Sequence, residues 1–83
     1  MTGYKIGSIT QYYEQLGVAI VDLTHELHLG DWVRISGSTD FTQQIESIQV
    51  EHEQVSSAQI GDTVGLKLTH AVVPGDELVK IEL

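Results

Sequence analysis

The sequence predicts an all-β fold, six short strands closed into a small, antiparallel-rich barrel, and three observations predict it. The dipeptide Gly-Asp occurs three times, at Gly30-Asp31, Gly61-Asp62 and Gly75-Asp76, each time followed by an alternating apolar run. Glycine reaches positive φ without steric cost and aspartate bonds back to nearby amides, so the pair turns the chain and launches a strand. Apolar spacing jumps to three between Ile6 and Ile9 and again between Ile45 and Ile48, the phase shift of strands that bulge or bend to close a barrel. The connections are short, with no low-complexity linker.

The first strand is expected over Lys5 to Tyr13, rich in isoleucine, threonine and tyrosine. Gly17 marks a turn. Val18 to Leu23 follows, apolar on both faces, as for a strand covered on both sides or at a barrel crossing. Thr24 to Leu29 leads into the first Gly-Asp turn, Trp32 to Ser36 is the third strand, and Gly37 to Asp40 is a loop. Phe41 to Glu53 carries two readings. Phe41, Ile45, Ile48 and His52 recur at helical spacing and Asp40 with Gln43 imitates a capping box, which supports a short helix. Val50 falls off that face, and Ser47 to Glu51 alternates with period two, which favours a fourth strand. The fifth is Thr63 to Leu68 and the sixth Glu77 to Ile81. Pro74 precedes the last turn, where its missing amide costs no ladder bond.

With 83 residues the chain is expected to form one domain, 1–83, around one core. No apolar run approaches the roughly 18 residues of a membrane span. Met1 to Ser8 lacks the apolar block of a secretory signal, and the absence of cysteine removes disulfides and thiolate metal sites. The cytoplasm is the expected compartment. Twelve carboxylates against Lys5, Arg34, Lys67 and Lys80 give a net charge of −8. Binding nucleic acid through phosphates needs a clustered basic surface. RNA or tRNA is therefore disfavoured, and a protein or ribonucleoprotein partner is expected.

No catalytic, metal or cofactor site is expected. His25, Glu26 and His28 are spaced H-E-x-H, not the H-E-x-x-H that puts two imidazoles on one helical face. Glu51, His52 and Glu53 would alternate on a strand and so not converge. No nucleophile is patterned with a base and an orienting group. Tyr12, Tyr13, Trp32 and Arg34 are the contact candidates, since aromatics on a barrel rim stack bases or anchor interfaces. The adjacent tyrosines must send one ring to each face of their strand. Gly30, Asp31, Gly61, Asp62, Gly75 and Asp76 are expected to be turn formers.

The run Ser47 to Leu66, with Ser47-Ile48-Gln49-Val50-Glu51 followed by Ala58 and Gly61-Asp62-Thr63-Val64-Gly65, resembles the second, β-barrel domain of translational GTPases of the Tu elongation-factor type. Leu29 to Gly37 is similar to that family's V-G-D-x-V-x-I-x-G, and Pro74 to Leu78 to its closing R-G-x-V-L. Small elongation factor-like proteins and the C-terminal barrel of U32 peptidase-family proteins are similar in the same way. The resemblance implies a barrel of the elongation-factor and reductase kind, docking on a partner in translation or tRNA metabolism. The peptidase likeness implies instead an accessory domain of a U32-type enzyme. No G-x-x-x-x-G-K-[ST] loop is present to cradle phosphates. Gln49 stands where the aminoacyl-tRNA carriers place a glutamate that contacts the tRNA end, and by that resemblance it joins the contact candidates. The same likeness assigns His52 and Glu53 to a structural corner.

Overall fold

A computed structural model describes residues 2–82. It is all β, with β1 (Thr2–Tyr13), β2 (Val18–Leu23), β3 (Leu27–His28), β4 (Trp32–Ser36), β5 (Asp40–Gln44), β6 (Ile48–Val50), β7 (Glu53–Val55), β8 (Ser57–Ala58), β9 (Thr63–Lys67) and β10 (Glu77–Glu82). Eight strands form one antiparallel sheet in the order β5-β4-β10-β1-β2-β9-β6-β7, and β3 pairs with β8 separately. Its inner face encloses one core that includes Ile6, Ile9, Val21, Ile35, Leu66 and Leu78.

Each Gly-Asp pair closes the same turn. In His28-Leu29-Gly30-Asp31, Gln59-Ile60-Gly61-Asp62 and Val73-Pro74-Gly75-Asp76 the aspartate N–H donates to the carbonyl three residues back, at 3.1–3.2 Å. The glycines have φ of 90°, 90° and 98°, as the third residue of a type II turn requires, with Pro74 in the second position that favours proline. The aspartate carboxylate then accepts from the N–H of the turn's first residue, at 2.9, 2.9 and 3.1 Å. The turn also clasps a buried aliphatic residue: the glycine N–H donates to the carbonyl of Ile45, Leu23 or Ile9, whose own N–H donates back to the aspartate carbonyl. Turn and core contact are fixed together.

The closed six-stranded barrel is not what forms. The sheet is open, with β5 and β7 as its end strands. The reason lies in β6, which is three residues long and pairs with only Leu66 and Gly65 of β9. Past that point a side chain bridges the gap: Gln43 of β5, itself buried, donates to the Lys67 carbonyl at 3.0 Å and accepts from the Thr69 N–H at 2.8 Å. His70 packs on Phe41 beside it, ring centroids 4.7 Å apart.

Strand β1 carries the two register shifts that let it curve, one between Lys5 and Gly7 against β10 and one between Ile9 and Gln11 against β2. Both Ile6 and Ile9 face the core as a result. The jump between Ile45 and Ile48 falls on the short connection between β5 and β6. Phe41 to Glu53 holds no helix, and Glu51-His52 do not alternate on a strand. They are the two-residue turn of the β6–β7 hairpin, where Val50 pairs with Glu53. Both have positive φ, 52° and 69°, the type I′ pattern that normally selects Asn-Gly.

Candidate functional site

The sheet's outer face over β1, β2, β9 and β6 is more apolar than an outer face needs to be. Along β9, Val64 and Leu66 point into the core, so Thr63, Gly65 and Lys67 point out. The register sets Ile20 and Gln49 on either side of Gly65, Val18 beside Lys67, and Asp22 beside Thr63. Gly65 has no side chain to fill its place in this row. A Cβ there would meet Val18 Cγ1 at 3.3 Å, with Ile20 and Gln49 just beyond. The consequence is a notch with aliphatic and amide walls.

Two hairpins raise the walls. The β1–β2 turn presents Leu16, 65% exposed, and the end of β1 presents Tyr13, 48% exposed. The Tyr13 hydroxyl donates to Gln11 Oε1 at 2.7 Å. Across the notch stands the β6–β7 turn with Glu51 and His52. Together they enclose a groove of about 250 Å³ floored by Ile20 and Gly65. A second recess of about 330 Å³ shares Leu16, Val18, Gln49 and Gly65 with it and runs on to Lys67. The two make one track along β9, with Glu51 at the Thr63 end and Lys67 at the other.

Of the sequence-predicted contacts, Tyr13 and Gln49 meet in this groove. Tyr12 turns inward and packs on the core. Trp32, 41% exposed, and Arg34 lie on β4, which β10 separates from the groove strands in the sheet order, and neither lines the groove. Trp32 borders a different cleft of about 570 Å³ with Gln44, Glu46 and Lys67. Arg34 is occupied by Asp40, its Nε donating at 2.7 Å and a second guanidinium N–H bonding the other oxygen. That hydrogen-bonded pairing holds the Asp40 carboxyl below, and the guanidinium above, their ordinary values.

Lys5 pairs with Glu77 at 2.8 Å and Lys80 with Asp31 at 3.3 Å. Burial alone would lower the Lys80 pKa, but Asp31, with smaller contributions from Tyr4 and Glu82, more than offsets it and the value is raised. Among the described residues, Lys67 is the one cation outside an ion pair. His25 lies edge-on to Tyr4, and His28 sits 3.8 Å from Glu26 and 3.9 Å from Asp31. Among the described residues, no three potential ligands gather as a metal site would need. Leu16, Gly65 and Lys67 escaped the sequence reading. Their trace was the apolar character of Val18 to Leu23 on both faces, whose outer half is this patch.

No protein-family model matches the chain. It is 36% identical over 76 residues to an uncharacterized protease of Methanocaldococcus jannaschii, and 31% identical over 80 residues to a collagenase of Porphyromonas gingivalis. Those matches cover 89% and 93% of this chain but 19% and 22% of the relatives, so the chain spans about a fifth of their length. The crystal structure of the C-terminal domain of a putative U32 peptidase from Geobacillus thermoleovorans superposes with a TM-score of 0.88 at 26% identity. The match covers 94% of this chain and 92% of that domain. The chain resembles the C-terminal domain of a U32 peptidase. A selenomethionine crystal form of the same domain agrees, with a TM-score of 0.86. These matches follow the peptidase likeness of the sequence motifs and not the elongation-factor one. Among the described residues, no helix is long and apolar enough to cross a membrane.

Proposed function

We propose that this chain is the accessory β module of a U32 peptidase-type protein, docking through its outer groove and performing no chemistry itself. The observation that carries this reading is the likeness, over nearly the full length of both chains, to a U32 peptidase C-terminal domain. The names protease and collagenase belong to relatives about five times as long, and their activity does not transfer to a fifth of the chain. Three of the four cations sit in ion pairs, so little positive charge is left to hold phosphates, which weighs against the RNA reading. The translation reading keeps only its motif likeness.

The test is a pull-down from native lysate of the source cells, with the bound proteins identified by mass spectrometry. Enrichment of a U32-type protein is the expected result. Its absence, with a translation factor or ribosomal proteins enriched instead, would return the reading to translation.

A further inference from the structure

The groove is polar at both ends and apolar in the middle, and that order says what it accepts. At one end Glu51 stands on the hairpin tip, and Asp22 accepts a hydrogen bond from Thr63 Oγ1 at 2.8 Å. In the middle, Gly65 opens the notch between Val18, Ile20 and Gln49, overhung by Leu16 and Tyr13. At the other end is Lys67, free of any ion pair among the described residues. Thr63 to Lys67 spans four residue steps, about 14 Å at the usual strand rise. An extended segment of roughly five residues matches that length.

We infer that the groove binds an extended peptide segment carrying a lysine or arginine at one end, an apolar side chain in the middle, and a carboxylate at the other end. The cation meets Glu51, the apolar side chain fills the notch over Gly65, and the carboxylate meets Lys67. The β6–β7 turn fits this role. It keeps Glu51 and His52 in left-handed backbone, where Asn-Gly would fold with less strain, and so keeps a carboxylate on the rim. Whose segment occupies the groove rests on the accessory-module reading; its charge pattern does not.

The test is an NMR titration of the 15N-labelled chain with three pentapeptides, acetylated and amidated so that only side chains carry charge. One has Lys and Glu at its ends around a central Leu, one has Lys at both ends, and one has Glu at both. The mixed peptide is expected to shift the Thr63, Gly65 and Lys67 amides and to bind about fivefold more tightly than either control, from one exposed ion pair gained and one like-charge contact removed. Lys67→Glu, at an exposed position, is expected to transfer the preference to the peptide with two lysines. Equal affinity for all three, or shifts confined to another face, overturns the inference and leaves the accessory role standing. A pull-down without a U32-type protein overturns that role and leaves the measured peptide preference in place.

Discussion

Asp76 is buried to 3% exposure. Burial alone would push its carboxyl up. The Ser38 N–H at 2.8 Å, the Val73 N–H at 3.1 Å and the Ser38 hydroxyl at 2.7 Å outweigh that and hold it below the ordinary carboxylate value. Gly37 makes the approach possible, because a Cβ there would overlap the Asp76 carboxylate. Replacing the acceptor strands three donors, so Asp76→Ala is expected to cost about 3 kcal/mol, a fall in Tm of more than about 10 °C for a chain this small. Thermal denaturation checks it. Because the native pKa is depressed, this contribution is fully present above the unfolded carboxylate value, about 3.9, and is lost as pH falls through the native one. The variant's stability is therefore expected to vary less with pH on the acid side. The turn role of Gly75-Asp76 was legible because it is local. The second anchor was not, since Ser38 lies 38 residues away in sequence.

At the scale of elements, the β6–β7 hairpin holds the clearest conflict between local preference and observed structure. Two successive side-chain-bearing residues in left-handed backbone cost about 1 kcal/mol or more each. The double change Glu51→Asn with His52→Gly is expected to stabilise the domain by about 1–2 kcal/mol. Denaturant unfolding would read this as a higher midpoint at unchanged slope. The same comparison explains which strands could be read from sequence. β4, β9 and β10 combine period-two apolar patterns with strong turn chemistry, β2 is a continuous apolar run after the Gly17 turn, and all four appear within a residue or so of their expected bounds. β5 did not, because Asp40 to Gln44 is largely polar and its inward residues are Phe41 and Gln43, the latter buried with its amide bonded across the gap to Lys67 and Thr69. β7 followed a turn whose residues, Glu and His, give no turn signal.

Across the whole molecule, closure was the expectation that failed, and for the same physical reason: a long-range pairing depends on strand lengths that motif spacing does not specify. The curvature was legible in the Ile6 to Ile9 phase shift, whereas the end of the β6 ladder at Gly65 and Leu66 was not. The groove was half legible, through Tyr13 and Gln49, because it depends on a missing side chain at Gly65 and on two hairpin tips brought together by the sheet. Charge acts at this scale as well. With a net charge of −8 and three of four cations paired, labelled tRNA is expected not to bind even at about 50 mM salt, where phosphate contacts are strongest. A fluorescence-anisotropy titration checks this. The most direct test of the accessory role is calorimetric titration of the purified chain into a U32 peptidase-type protein lacking its own C-terminal domain and shown to remain folded. Saturable one-to-one binding that weakens in Lys67→Glu is the predicted result; no heat of binding to the folded protein would contradict the account.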